Sequence, residues 1–574
     1  MQFLALASDY DGTLATAGTV HPRTVAAIER LIASGRKLIL VTGRILEDLL
    51  LVFPQANLCT SIVAENGAVL YQPATRERKL LCAPPPQALV NALRAKQVRP
   101  LDLGEAIIGF LRPHEQSALE AIRDLGLEYQ VIFNRESVMV LPSGVNKASG
   151  LRAALKELRL SPHNLVAVGD SENDHALLQA VECGVAVGNA VPMLKAIADR
   201  ITKGEAGDGT AEIMEELTHD DMSSFAQTWR RHAVLLGSRP DGSALSLSPL
   251  NDNVLIAGAS ASGKSSLATG LLERLTDDGY QVCVIDPEGD YESFERAIVF
   301  GNAQRGPTVA EILTAFDNPE AQIVVNLIGL PLQDRPSFFR KLWPHLVEYR
   351  SKTGRPHRIL IDEAHHLLPS EGHPAAPPSI ETMEGMILVT VHPEHVAPSV
   401  LQHMDVAVAL GEAADRTLQA YADHVGTTLP RAKQQVTPNP GEALIWRADG
   451  FGQPILFQVA PCKSERRRHR RKYAEGELPP ERSFYFRGAK GQMNLRAQNL
   501  TWFRQLATGV DDETWMYHLR QGDYSRWIEE GIKDSALARV VGVIEQDASM
   551  TSPTSRRLVT EAIEERYTLS ATGT

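Results

Sequence analysis

Short apolar runs alternate with helical stretches along most of this chain, the pattern that builds parallel sheets covered by helices. FLALASDYDGT reads as a buried strand ending in acidic residues. HPRTVAAIERLIASG spaces its apolar positions three and four apart and closes on a glycine, which predicts a helix. KLILVTGR predicts a second strand, SIVAENGAVL a third and NLVAVGDSEND a fourth. Between the last two, about residues 83–145, a stretch opened by Pro84-Pro85-Pro86 mixes helix and strand patterns and reads as an inserted cap. The alternation resumes over 247–462 with six apolar strands: NVLIAGA, QVCVIDPE, QIVVNLIG, RILIDEA, MILVTVH and DVAVALGE. Residues 219–246 form a connector, and 463–574 shift to helical spacing around Trp502, Trp515 and Trp527. The expected architecture is α/β: two doubly wound parallel-sheet domains, 1–218 and 247–462, then a basic linker and a C-terminal helical module.

Composition narrows the class. With 43% hydrophobic and 22% charged residues over 574 positions, the chain can bury several cores and is neither fibrous nor disordered. No apolar run approaches the 18 or so residues of a membrane span, and the N-terminus carries acids where a signal peptide needs its cleavage site. Five scattered cysteines, never in a CxxC pair, fit reduced thiols in a cytoplasm. A net charge of -12 argues against a protein that coats nucleic acid. The one basic run, Arg466 to Lys472, reads as a solvated linker, with a phosphate-contacting patch as the functional alternative.

Two clusters carry chemistry. Asp9 and Asp11 follow the first strand, where open α/β sheets place their ligands. Two carboxylates so close repel, and a divalent cation with phosphate oxygens resolves the conflict. Thr42 follows the second strand and is expected to begin a helix, facing a phosphate oxygen. Lys147 lies in LPSGVNKASGL, and Asp170 and Asp174 sit in GDSEND after another strand. In this order the four motifs, with the tail GNAVPMLKAIADRITKGEAGDGTAEIM, resemble the haloacid dehalogenase phosphatases, in the branch whose cap lies between the second and third motifs.

That resemblance implies a Rossmann-like core and a set of roles. Asp9 is the nucleophile that forms an aspartyl-phosphate, and Asp11 is the general acid and base. Thr42 and Lys147 hold charge on the phosphoryl oxygens. Magnesium is bound by Asp9, the Asp11 carbonyl and Asp170, with Asp174 alongside, while Gly43, Arg44 and Asn173 face substrate. A short cap favours a small or exposed phosphoester such as a sugar phosphate or phosphoglycolate. Glu65, Asn66, Arg112, His114 and Arg135 are candidate specificity residues, each also readable as ordinary surface polarity.

The second cluster is Gly258-x4-Gly263-Lys264-Ser265, directly after a strand and opening a helix, the context a phosphate-cradling loop requires. Lys264 reaches the terminal phosphates, and Ser265, followed by Ser266, holds magnesium. RILIDEAHH supplies Asp362 for the metal's water shell and Glu363 to orient an attacking water. With VIDPEGDYESF and DEAHHLLP, this half resembles the HerA/FtsK-type ATPases. The family's polar sensor strand reads MILVTVHPEHV here, leaving Thr390 and His392 as candidates. Such proteins commonly form rings completed by a neighbour's arginine, for which Arg416, Arg431 and Arg447 are candidates.

The chain is therefore expected to be a magnesium-dependent phosphatase joined to an ATP-binding and hydrolysing domain that regulates it or drives assembly. The alternative is a nucleic-acid motor with a phosphatase acting on nucleic-acid ends. Expected partners are a small phosphorylated substrate, ATP and further copies of the chain, with no membrane.

Overall fold

The computed structural model describes residues 1–223, 231–259, 262–370, 384–430, 437–447, 452–463, 478, 480–489, 491, 493–532 and 534–567. Met1–Ala460 forms one compact unit and Pro461–Thr574 another. Among the described residues no helix is long and apolar enough to cross a membrane. Cys59, Cys82, Cys183 and Cys283 form no disulfide.

The first sheet has eight strands in the order Arg200–Ile201, Cys183–Ala186, Leu165–Gly169, Ala5–Ser8, Lys37–Val41, Ser61–Ala64, Val69–Gln72 and Glu77–Leu80. The first six run parallel; all but the short edge strand Arg200–Ile201 are buried, which is why their sequences are continuous apolar runs. The helix Pro22–Ala33 shows how the pattern is used: His21 caps it, Pro22 opens it, and Ala27, Ile28 and Leu31 form its buried stripe. The expected third strand SIVAENGAVL is in fact two antiparallel strands, Ser61–Ala64 and Val69–Gln72. Glu65, Asn66 and Gly67 all take positive φ (49°, 55° and 107°), and this left-handed turn reverses the chain inside one apolar run. The inserted cap is a four-stranded antiparallel sheet with the helices Gln87–Ala95 and Glu115–Asp124 packed on it.

The second sheet has eleven strands. Seven are parallel: the six expected from sequence plus the edge strand Ala297–Phe300. The sheet is mixed rather than purely parallel, because Glu442–Arg447, Ile455–Val459, Val234–Ser238 and Ala244–Leu247 extend it antiparallel. The last two of these come from the connector, whose alternating residues pair once the sheet offers an open edge.

The Pro461–Thr574 unit is mostly helical, but Phe484–Phe486 pairs with Leu495–Ala497 as a hairpin. Trp515 and Trp527 lie in its aromatic core with Phe484, Phe486, Phe503 and Tyr524, whereas Trp502 is exposed. The run Arg466 to Lys472 and Arg431 lie outside the described residues.

Candidate functional site

Both candidate sites sit at the carboxyl ends of parallel strands. In the first sheet Asp9 follows Ala5–Ser8 and Asp170 follows Leu165–Gly169; these two strands are hydrogen-bonded neighbours, so the two aspartates emerge side by side. Asp174 lies four residues on, and its Oδ2 accepts from the backbone N–H groups of Asp170 and Ser171, both at 3.0 Å. One carboxylate oxygen from each of Asp9, Asp170 and Asp174 falls within 4.8 Å of the others, all three residues buried.

Lys147 is the first residue of the helix Lys147–Leu158, fixed by a capping box between Asn146 and Ser149. Its ammonium is wholly buried and donates to Asp9 Oδ1 and to Asp174 Oδ1, both at 2.6 Å. Burial pushes the Asp9 carboxyl well above the usual carboxylate range, opposed by Lys147 and reinforced by Asp174 and Asp170. Burial also raises Asp170, with Asp174 adding to it and Arg135 and Thr13 opposing. Burial alone would lower the Lys147 ammonium, but the charges of Asp174 and Asp9 hold it above its usual range. Three crowded oxygen donors of this kind suit a hard divalent cation such as magnesium. Gly12 makes the close packing feasible: at φ +74° it lies against Asp170, and a Cβ there would stand 2.5 Å from Oδ2.

The Asp11 carboxylate is not part of the trio. Arg44 grips it with a two-pronged contact, Nε and Nη2 each 2.6 Å from a carboxylate oxygen, and this hydrogen bond raises the arginine's pKa. Thr42 does follow the strand Lys37–Val41, but it does not begin a helix; that helix is Leu46–Val52. The reason is local. Thr42 Oγ1 accepts from the Arg44 N–H at 3.2 Å, a turn that keeps the chain non-helical until Ile45. Gly43 faces the cap, where a Cβ would stand 3.2 Å from Met139 Sδ. Asn173 Nδ2 donates to Asn66 Oδ1 at 3.1 Å, leaving the buried Asn66 Nδ2 and Asn173 Oδ1 with no hydrogen-bond partner.

Two cap contacts were not evident from spacing. Arg135, at the tip of the hairpin joining Tyr129–Asn134 to Ser137–Pro142, reaches Asp170 with Nη2 and Ser171 Oγ with Nε at 3.2 Å. Glu65 accepts from the backbone N–H groups of Glu105, Ala106 and Ile107 at 2.8–3.1 Å, pinning the cap to the core. Burial raises its pKa, against the pull of those N–H groups. Arg112 lies over the Phe133 ring at 4.9 Å, and His114 precedes the cap helix Glu115–Asp124.

In the second sheet Gly258 ends the strand Val254–Gly258, and Gly263 (φ +103°) leads into the helix Lys264–Asp277. A Cβ on Gly258 would stand 2.4 Å from the Leu410 carbonyl, so only glycine fits that turn. Lys264 Nζ donates to the Ala259 carbonyl at 3.0 Å, and Ser265 and Ser266 lie in the helix's first turn. Asp362 follows Arg358–Ile361 and accepts from the Glu363 N–H at 3.0 Å; Glu363 itself takes a left-handed backbone, φ 41°. Asp286 secures its own loop by accepting from the N–H groups of Gly289, Asp290 and Tyr291. Thr390 does not face solvent as a free sensor: its hydroxyl lies 3.1 Å from His365 Nδ1, and His365 Nδ1 is 3.5 Å from Glu363 Oε2. Burial, with His366, His392, His395 and Lys264 nearby, pushes His365 down to about 4. His392 pairs with Glu394 at 3.1 Å. Arg447 pairs with Asp252 at 3.0 Å, and Arg416 is exposed on the helix Ala414–Val425.

Residues 6–92 and 114–214 match the family model for haloacid dehalogenase-like hydrolases. A phosphoglycolate phosphatase from Methanothermobacter thermautotrophicus is 30% identical over 219 residues, covering 37% of this chain and 96% of that protein. The chain belongs to the haloacid dehalogenase-like hydrolases. It is thereby a phosphoric monoester hydrolase, and residues 244–352 add a match to the family described as Helicase HerA, central domain, the mark of an ATPase. Phosphoglycolate phosphatase 2 from Saccharolobus solfataricus is 38% identical over 101 residues, 18% of this chain and 43% of that protein. The 5-amino-6-(5-phospho-D-ribitylamino)uracil phosphatase of Bacillus subtilis is 26% identical over 259 residues, 37% of this chain and 96% of that enzyme. Among solved structures, a haloacid dehalogenase-like hydrolase from Bacteroides thetaiotaomicron aligns at 20% identity and TM-score 0.33, covering 38% of this chain and 99% of its own.

Proposed function

We propose that the N-terminal half of this hydrolase acts on a small phosphoester, of the sugar-phosphate or phosphoglycolate kind, through an aspartyl-phosphate on Asp9. The observation that carries this reading is the wholly buried Lys147, held at 2.6 Å from both Asp9 and Asp174. It keeps a positive charge at the nucleophile in a place closed to water. An Asp9 oxygen attacks phosphorus, the ester P–O bond breaks, and Asp11 gives its proton to the departing alcohol. Asp11 then takes a proton from water, whose oxygen attacks the phosphoryl group and returns Asp9 as carboxylate. Arg44 holds Asp11 ionised in the resting site and must release one of its oxygens for Asp11 to carry the proton, and Thr42 and Lys147 bind the phosphoryl oxygens. Asp9, Asp170 and the Asp11 carbonyl, with Asp174 beside them, would hold magnesium, which would supply charge neutralisation for the approach of two anions.

Substrate choice belongs to the cap. The unpartnered Asn66 Nδ2 and Asn173 Oδ1 offer one donor and one acceptor to a bound molecule. Arg135, reaching over the carboxylate trio, favours a leaving group that carries its own negative charge. The relatives named as phosphoglycolate phosphatases agree with that preference. Phosphate release from a panel of phosphoglycolate, sugar phosphates and nucleotides tests the reading; turnover of a small anionic phosphoester supports it, and none on any member opposes it.

The P-loop half binds and hydrolyses ATP with Lys264, Ser265, Asp362 and Glu363, and either governs the phosphatase or drives assembly of copies of the chain. We assign the protein to the cytoplasm. The match to the HerA central domain favours one second reading, a nucleic-acid motor whose phosphatase trims nucleic-acid ends. A DNA shift that weakens steeply with salt supports it, and no binding at low salt opposes it.

A further inference from the structure

The two sheets of the Met1–Ala460 unit meet at the ends opposite to their active sites. Asn164 immediately precedes the strand Leu165–Gly169 that carries Asp170, and His357 immediately precedes the strand Arg358–Ile361 that carries Asp362. These two residues are wholly buried and bonded to each other, His357 Nε2 donating to Asn164 Oδ1 at 3.3 Å. The assignment follows because His357 Nδ1 already accepts from the Gln281 N–H at 2.8 Å. Asn164 Nδ2 donates across the same seam to the Gly354 carbonyl at 3.3 Å. Gly354 is required there, since a Cβ would stand 2.3 Å from Asn164 Nδ2.

The helices that begin with the two catalytic lysines also end at this seam. Lys147–Leu158 leads through Arg159 to His163, and Lys264–Asp277 leads through Asp278 to Tyr280. The His163 ring stacks on Tyr280 with centroids 3.7 Å apart. Its Nε2 lies 2.8 Å from the Asp278 carbonyl, at the foot of the P-loop helix. Its Nδ1 lies 2.7 Å from Glu182, which also accepts from the Tyr280 hydroxyl at 2.8 Å. Arg355 donates to the Arg159 carbonyl at 3.3 Å. A strand and a helix from each site therefore converge on one buried, hydrogen-bonded joint.

At about 3.3 Å per residue, each site stands roughly 15–20 Å of strand away from the joint on its own side. That separation excludes direct passage of a phosphoryl group from ATP to Asp9. We propose that the joint transmits the nucleotide state of the P-loop to the phosphatase, making the ATPase half its regulatory element. This rests on the phosphatase reading above. Lys264 is bonded to the loop's own Ala259 carbonyl, so engaging phosphates requires that contact, at the head of its helix, to break. A packed helix moves as a rigid rod, and its other end is the His163 contact.

The test uses the full chain and the phosphatase kcat/KM, measured with and without a non-hydrolysable ATP analogue. The expected change is about fivefold or more, the lower range of coupling between distinct sites. Tyr280→Phe and His357→Gln should shrink it below about twofold while leaving the analogue's Kd and the nucleotide-free phosphatase rate near wild type. An analogue without effect on the wild-type phosphatase overturns the proposal, as does a full effect in both variants. Amide hydrogen exchange over residues 147–163 reads the coupling without any turnover. An analogue-induced change that disappears in Lys264→Ala supports the joint even if every phosphoester in the panel fails, and no change overturns it.

Discussion

Replacing Lys147 by methionine removes one positive charge from between two buried carboxylates and leaves a side chain of similar volume. Lys147 is fully buried, Asp174 likewise, and Asp9 is 4% exposed. Removing one member of a buried ion pair costs about 3–5 kcal/mol, because the partner charge stays desolvated. Two partners are orphaned here, so the upper part of that range applies. With metal chelated, the phosphatase half should melt on the order of 10 °C earlier than wild type, given the few degrees that each kcal/mol moves a domain of about 200 residues. Excess magnesium should recover part of the loss, since a divalent cation among Asp9, Asp170 and Asp174 restores positive charge to the cluster. Phosphatase turnover should still fall by about 10²–10³, the usual cost of one preorganised charge contact. Calorimetry in chelator and in magnesium, beside the steady-state rate, checks all three. Destabilisation below about 1 kcal/mol in chelator, or a deficit that magnesium leaves unchanged, would refute the charge-balance reasoning.

Other consequences can be checked separately. Arg135→Ala should raise KM for phosphoesters with an anionic leaving group and barely change it for neutral sugar phosphates; equal effects on both would reduce Arg135 to a cap latch. Gly12→Ala should cripple the phosphatase and spare the ATPase, because its Cβ would displace Asp170 at a backbone of φ +74°; comparison of the two rates decides it. His357 is held well below its usual pKa, by burial first and then by His163, Arg355 and Arg350. The folded chain therefore leaves it neutral where the unfolded chain protonates it, so stability falls as pH drops below about 6.5, by up to about 1.4 kcal/mol per pH unit from this group. Denaturation between pH 5 and 7.5 should show a shallower acid loss in His357→Gln than in wild type; identical slopes would contradict the assignment.

Much of the architecture was legible because buried parallel strands are written as unbroken apolar runs ending in acids or glycines. Ala5–Ser8 with Asp9 and Val254–Gly258 with the P-loop are such cases. Two features were not legible. SIVAENGAVL conceals a chain reversal, because three positive φ angles sit inside an apolar run that looks continuous. The antiparallel extension of the second sheet depends on pairing between residues about 200 positions apart, as in Ser238 with Gln458, which local periodicity does not report. Motif order named Asp9, Lys147, Asp170 and Asp174, which the structure brings together, and Glu65 and Arg135 were named as candidates, but their contacts could not be read. Arg135 and Glu65 are ordinary polar residues in sequence, and only tertiary packing brings them to Asp170 and to the Ala106 backbone. The seam histidines were missed for the same reason: His163 and His357 lie 194 positions apart and meet only through the packing of two sheets.

Chemical trapping of the covalent intermediate tests the role of Asp9 most directly. Wild-type chain mixed with magnesium and a phosphate-labelled phosphoester from the responding panel, then quenched in acid within milliseconds, should yield a phosphorylated peptide spanning Asp9 that disappears on treatment with hydroxylamine. Asp9→Asn should give none, while its ATPase activity stays intact. Label on any other residue, or undiminished phosphate release by Asp9→Asn, would contradict the mechanism.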